Sequence, residues 1–311
     1  MKSILFRILE PMMFGGAAEF TPTLRGPQTG AVSMFLPSPS TVVGALATLV
    51  LQHGNRHPPR GNSGWGQEVS EVFGGAGSVV LRGPFLVDGR GTVYVLHRNG
   101  FVPLDTLLTH LSRGGLREAY SVLDSLARQN IPGRVEVVGI KIAEPKKAAA
   151  EGFIYNVRMV DYSKLSGVGN VGWNVVVEVL KENGLLQRAL RVPKVMRLGG
   201  EGRLTVVTSG DSWPVRSYVE KGVVSSPFRL YVASPLVFES SKDAARLETV
   251  DGEVVSLRWK ADRFWRMSGL MGVDVDVVGH VGLIGGFSAS RAVRKPVYAC
   301  LQPGSIIEVV D

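Results

Sequence analysis

The sequence predicts an α+β fold whose first half follows the ferredoxin-like (RRM-like) element order. Three observations carry that expectation. Residues 3–142 alternate strand-like and helix-like periodicity in the order β-α-β-β-α-β, which is shared with RNA-recognition domains. Residues 143–151 (AEPKKAAAE) interrupt the pattern with proline and charge. The remaining half reads mainly as strands, separated by turn signals such as Asn183-Gly184 and Asp251-Gly252. Two domains are therefore expected, over residues 1–145 and 152–311.

Taken in order, residues 3–9 (SILFRIL) form an apolar strand ended by Pro11. A glycine-rich run without periodicity, residues 14–35, follows; a loop of that length in a compact domain is usually functional or mobile. The clearest helix comes next. Ser38 is a good N-cap and Pro39 suits the first helical position. Val42, Val43, Leu46, Leu49 and Val50 give an apolar stripe at helical spacing, and Gly54 can end it. Residues 52–67, with Pro58-Pro59 and several glycines, read as a loop. Strands at 78–87 and 92–96 meet around Asp88-Gly89, a hairpin signal. Residues 104–128 give one or two helices split near Gly114-Gly115, and residues 134–142 a strand. Further strands are expected at 153–160, 173–180, 185–192 and 204–208. Others follow at 228–238, 254–259, 273–284, 297–301 and 306–310, with a short helix over 260–271.

Lysine and arginine outnumber aspartate and glutamate by 35 to 27, a net charge of +8. That balance favours acidic partners: nucleic acid, anionic membrane or acidic protein. No acid occurs over residues 20–67 or 277–307, runs that carry Arg25, Arg56, Arg60, Arg291, Arg294 and Lys295. The pattern suggests one long basic surface assembled from distant segments. With 45% hydrophobic residues a core is available and disorder is not expected. Cys300 is the only cysteine. It excludes an intrachain disulfide and a multi-cysteine zinc site, fits a reducing interior, and reads as a small buried hydrophobe. The N-terminal MKSILFRILEP lacks a signal peptide's long apolar segment and cleavage site. The best apolar run, residues 41–51, falls short of the roughly 20 residues that span a bilayer. A cytoplasmic protein with no membrane partner is expected.

Cations and glycines concentrate at residues 191–204 (RVPKVMRLGGEGRL). Arg191, Lys194, Arg197 and Arg203 bracket Gly199, Gly200 and Gly202, with Glu201 the one acid among them. Glycine permits φ > 0 and close backbone approach. Successive N–H groups in such a turn can form a concave anion nest. Arginine adds a planar fork matched to phosphate oxygens. The composition suits gripping a phosphodiester backbone, and it also describes a hairpin tip with a solvated basic face. It is neither a Walker loop nor a complete G-x-G-x-x-G fingerprint. Ser38, Ser40 and Thr41 set hydroxyls at the positive end of the opening helix, as caps or as an anion site. Gly285-Gly286-Phe287, followed by Arg291, is a second Gly-plus-Arg loop whose aromatic can stack on a base or anchor a core.

Several segments together resemble the CRISPR RAMP superfamily. Residues 36–46 (LPSPSTVVGAL) resemble the opening helix of those proteins, and residues 197–203 (RLGGEGR) their glycine-rich loop. Gly285-Gly286-Phe287, Arg294-Lys295-Pro296 and Pro303-Gly304-Ser305 resemble the end of the chain. In order and spacing the matches cover nearly the whole sequence and resemble the subunit of the type III-B (Cmr) effector complex that caps the 5′ end of the guide RNA. The resemblance implies two tandem ferredoxin-like RAMP domains with glycine-rich loops and insertions. It implies a subunit of an antiviral-defence ribonucleoprotein that binds the 5′ handle of the crRNA. The implied protein partners are the large polymerase-like subunit and the RAMP backbone, beginning with its first subunit. The RNA contacts expected are Arg25, Ser38, Ser40, Thr41, Lys194, Arg197, Gly199, Gly200, Gly202, Arg203, Gly285, Gly286, Phe287 and Arg291. Relatives often carry an R-D-G-R-P-F-like stretch where residues 13–20 read MFGGAAEF, and arginine where Ala47 stands. No RNA contact is carried to either place. The equivalent subunit of another type III complex is an alternative assignment.

Related RAMP proteins include metal-independent ribonucleases that deprotonate a 2′-OH with His, Tyr or Lys, and a general base is most often His. The histidines are His53, His57, His97, His110 and His280. Only His53 and His57, just beyond the opening helix, make a pair to test, and they read as solvated loop residues. No clustered carboxylates suggest a two-metal site. Asp274 and Asp276 share one face of a strand. The expectation is a non-catalytic subunit without cofactor or metal, with a metal-independent repeat-processing endoribonuclease as the alternative.

Overall fold

Alternation in the first strand, Ser3–Ile8, sets the frame: Ile4 and Phe6 are fully buried on one face, while Leu5 points to the other. The computed structural model describes residues 1–16, 30–57, 67–143, 148–165, 172–212, 228–237, 249–250, 253–260, 274–285, 287–288, 293–294 and 297–310. Over these residues the chain is α+β, with mainly antiparallel sheets and few helices. Ser3–Ile8 lies inside a seven-stranded sheet ordered Gly100–Pro103, Val93–His97, Val80–Val87, Asn174–Lys181, Ser3–Ile8, Leu204–Gly210, Lys194–Arg197. Every pairing in it is antiparallel.

The opening helix, Pro39–His53, covers one face of that sheet. Ser38 caps it, its Oγ accepting the Thr41 N–H at 3.2 Å, and Pro39 stands in the first turn. Val42, Leu46, Ala47, Leu49 and Val50 pack on Ile4, Phe6, Leu86, Val175, Val177 and Val207. The helix stops at Gly54, whose φ of −85° is ordinary; the left-handed residue is Asn55, at φ 48°. Asparagine is the usual substitute for glycine there. The other face is covered by helix Leu116–Arg128. Its Leu116, Tyr120, Leu123 and Ala127 pack on Phe85, Val87 and Val176, and also on Val278 and Ile306 of a second sheet.

That second sheet runs Arg229–Tyr231, Ile306–Val310, Asp274–Ile284, Glu253–Lys260, Thr249–Val250, with Tyr298–Leu301 and Leu236–Val237 alongside. A third has Gly30–Val32, Ala148–Asp161 and Gly133–Ala143. Buried Cys300 behaves as a small hydrophobe, its thiol pushed up to about 11 by burial. Among the described residues no helix is long and apolar enough to cross a membrane.

The expected β-α-β-β-α-β order is realised, but by other segments. It consists of Ser3–Ile8, Pro39–His53, Val80–Val87, Asn174–Lys181, Leu185–Ala189 and Leu204–Gly210. In space the strands run fourth, first, third, second. The segments expected in the last three places, at 92–96, 104–128 and 134–142, lie in the stretch between the second and third strands. The physical reason is burial on both faces. Val175, Val176 and Val177 are all buried, which suits a strand flanked on either side. Val93–His97 instead extends the sheet toward its edge, and Gly133–Ala143 pairs with Ala148–Asp161 as a hairpin. Of the linker expected at 143–151, Ala143 and residues 148–151 are strand residues of that pair, and residues 144–147 lie outside the described residues. The boundary between 145 and 152 falls within that pair, and the central sheet takes strands from both sides.

Residues 185–192, expected as a strand, begin with a helix, Leu185–Ala189. Leu185, Leu186, Ala189 and Leu190 have helical spacing. Gly184 opens the turn at φ 81°, and the Glu182 carboxylate accepts the Gly184 N–H at 3.0 Å. Of the short helix expected over 260–271, residues 261–271 lie outside the described residues.

Candidate nucleic-acid interface

The Gly/Arg segment is a hairpin. Lys194–Arg197 pairs with Leu204–Gly210, Arg197 opposite Leu204, so residues 198–203 form its tip. Gly199, Glu201 and Gly202 all take left-handed backbone, at φ 82°, 57° and 67°. Fully buried Leu198 anchors the turn, and its N–H donates to the Arg203 carbonyl at 3.0 Å. The tip rests on the chain just after the first strand: the Gly200 N–H donates to the Met13 carbonyl at 2.7 Å. A Cβ at Gly199 would come 2.2 Å from that same oxygen, so this position accepts only glycine.

The cations of the segment divide into two kinds. The Arg203 Nη1–H donates to Glu10 Oε2 at 2.6 Å, while Glu10 Oε1 accepts the Leu204 N–H at 2.8 Å. The Leu204 N–H, and then Arg203, hold the Glu10 carboxyl below its usual range. Arg203 therefore braces the hairpin against the end of the first strand. Arg197 is exposed and Lys194 half-buried, and among the described residues neither has a carboxylate partner. A Cβ at Gly202 would meet the Arg197 Nε at 3.8 Å, which places that guanidinium over the tip.

The start of the opening helix packs against the same structure. Phe14, Phe35, Leu36, Met196 and Leu198 share its apolar cluster. Ser38 is buried and its Oγ lies 3.0 Å from the Ser40 hydroxyl and 2.9 Å from that of Thr41. Ser38 acts as the cap; Ser40 stands exposed beside it, and the first turn carries no acid. Gly285 follows Asp274–Ile284 in the second sheet, and Phe287–Ser288 pairs with Val293–Arg294. Arg25, Gly286 and Arg291 lie outside the described residues.

Two residues that sequence reasoning missed complete the geometry. One is Glu10, the acid that engages Arg203. The other is Arg134, whose Nη1–H donates to the Ser33 carbonyl at 3.0 Å and whose guanidinium lies 4.6 Å from the centroid of the Phe35 ring. The Ser33 hydroxyl in turn accepts the Phe14 N–H at 2.8 Å. No local signal marks either residue, because each partner comes from a distant segment.

His53 and His57 are exposed, at and beyond the last turn of the opening helix. His97 is fully buried between Tyr120 and Tyr231, and burial lowers its pKa to about 4. Among the described residues no group of three or more His, Cys, Asp or Glu is placed to hold a metal.

The family model described as CRISPR-associated protein (Cas_Cmr3) matches residues 7–97 and 97–307. The CRISPR system CMR subunit Cmr3 of Saccharolobus solfataricus is 22% identical over 216 residues, 68% of this chain and 64% of the relative's length. The match thus spans less than two thirds of that relative. Two solved structures of the type III-B Cmr-β complex contain similar chains. One complex is bound to cognate target RNA (TM-score 0.65, 20% identity) and the other to cognate target RNA and AMPPnP (TM-score 0.61, 18% identity). Each similarity covers 99% of this chain and 86% of the other. At that identity the likeness establishes the fold.

Proposed function

We propose that this chain, which belongs to the Cas_Cmr3 family of CRISPR-associated proteins, is a non-catalytic RNA-binding subunit of a type III-B effector complex that holds the 5′ handle of the crRNA. The observation that carries the reading is the hairpin at 194–210. Its tip is pinned to Met13 and braced by Arg203 on Glu10, while Arg197 and Lys194 keep their charge for a ligand. A preorganised tip with φ > 0 glycines and unneutralised cations suits a phosphodiester backbone. Ser40, Thr41 and the Gly285–Phe287 segment are the further contacts we assign, together with Arg25 and Arg291 from the two acid-free basic runs of the sequence. The neighbours assigned are the large polymerase-like subunit and the first backbone subunit. We assign one ferredoxin-like unit to the central sheet and a second to the sheet built from residues 229–310, and a cytoplasmic location to the protein.

The decisive test is filter binding of a crRNA 5′-handle oligoribonucleotide over a salt series. Arg197→Ala is expected to weaken binding and to reduce the slope of log K against log salt by about one. Wild-type affinity with an unchanged slope would remove the hairpin from the interface.

A further inference from the structure

The three-stranded sheet of Gly30–Val32, Ala148–Asp161 and Gly133–Ala143 carries none of the contacts proposed so far. One of its faces is apolar: Met13, Val157 and Met159 are buried there, with Ala31 and Val137 packed against them. The opposite face turns Arg134, Glu136, Val138 and Arg158 to solvent.

Arg134 is held at two points although it is exposed. Its guanidinium covers the Phe35 ring, which is itself buried, and its Nη1–H is engaged by the Ser33 carbonyl. The guanidinium carbon lies 4.6 Å from the ring centroid, and the residue as a whole remains exposed. Arg134 lies directly opposite Val160, and Arg158 is two residues further along the same partner strand. Such diagonal neighbours are about 7–8 Å apart. Burial, and then the charge of Arg158, lower the Arg134 pKa, so the two cations sense each other. Among the described residues Arg158 pairs with Glu136, at 3.8 Å with both side chains more than half exposed. A pair of that kind contributes little. Two arginines on neighbouring strands, one lying over an aromatic ring and one mostly exposed, match the two parts of a nucleotide: a base face and a phosphate.

We propose that Arg134 and Arg158 form a second RNA contact, in which Arg134 stacks on a base of a single-stranded segment and Arg158 takes an adjoining phosphate. The proposal rests on the RNA-binding reading above. The two contacts share a mount: the Met13 carbonyl receives the hairpin's Gly200 N–H, the neighbouring Phe14 N–H donates to the Ser33 hydroxyl, and the Ser33 carbonyl holds Arg134.

The experiment is fluorescence anisotropy of the full chain with a short fluorescein-labelled single-stranded RNA, titrated at several salt concentrations. Arg158→Ala is expected to weaken binding and lower the salt slope by about one. Arg134→Lys keeps the charge but loses the plane; it is expected to weaken binding on the order of tenfold with the slope unchanged. Thermal melting confirms that each variant is folded. If Arg134→Lys does not fold, Arg158→Ala decides, since its side chain is 59% exposed. Wild-type affinity and slope in both variants overturn the inference, and a loss confined to Arg197→Ala then leaves the hairpin reading standing alone. The converse, a loss in Arg158→Ala with none in Arg197→Ala, keeps this contact and removes the hairpin. Competition by polyglutamate as effective as by RNA at equal charge would overturn the base-stacking role and point to an acidic protein.

Discussion

The junction between the two large sheets and the hairpin tip at 198–203 are both built around arginine, with opposite results. At the junction Arg229 meets Glu308 at 2.6 Å and donates to the carbonyls of Leu111, Arg113 and Gly114. Arg98 and Arg128 converge on Asp124, and His97 sits sealed among tyrosines in its neutral form. At the tip, among the described residues, only Arg203 is engaged in that way. An excess of arginine does not by itself mark a ligand site. What marks it is the number of acids and carbonyls within reach, which the fold decides.

The comparison breaks most visibly at Arg229. Arg229→Ala leaves the Glu308 carboxylate, 17% exposed, without its partner, and is expected to cost about 3–5 kcal/mol. The urea midpoint is expected to fall while RNA affinity measured below the transition stays at the wild-type value. A midpoint that does not move would make this pair no more than a surface one.

His97 sharpens the contrast through pH. Burial is the main cause of its depressed value, about 4 against 6.5 for the free side chain. Between those values the unfolded chain binds a proton that the folded chain refuses, so stability falls as pH falls. The loss amounts to roughly 3 kcal/mol by the lower end of the window, at about 1.4 kcal/mol per unit. Denaturation midpoints across that window are expected to decline in the wild type and to flatten in His97→Gln. A level wild-type profile would show that the junction accepts the charge.

Gly199→Ala is the smallest of the three. It forces a left-handed alanine at a cost of about 1–3 kcal/mol and drives its Cβ into the Met13 carbonyl. The hairpin tip is expected to lift, lowering the melting temperature slightly and weakening RNA binding together. Unaltered RNA binding at the lowered melting temperature would separate the tip's shape from its use.

What was legible in the sequence is what short stretches determine. Ser38, Pro39 and the stripe from Val42 to Val50 specify the opening helix within about four turns, and that helix forms as expected. Val175-Val176-Val177 announces a strand but not its neighbours, since alternation is silent about pairing. The glycines of 199–202 point to left-handed backbone, which the turn uses. The fate of Arg203 depends on Glu10, 193 residues away, and that of Arg134 on Ser33, 101 residues away. Neither separation leaves a trace in local composition. The helix at 185–189 was hidden for another reason: five residues are too few to distinguish two periodicities.

The placement of Asn174–Lys181 beside the first strand also bears on how the chain is made. Ser3 pairs with Glu178 on one side and Gly210 on the other. At a synthesis rate of about 5–20 residues per second, the first strand waits on the order of ten to forty seconds for both flanks to emerge from the ribosome. Through that interval Ile4 and Phe6 have no finished sheet to enter, and both strand edges stand open to other chains. Closing so long a loop is also the slow kind of folding step. A nascent chain halted before residue 174 therefore holds the opening helix and neither of the strands that flank the first. Completion of the second half is the event that commits the first half to its structure.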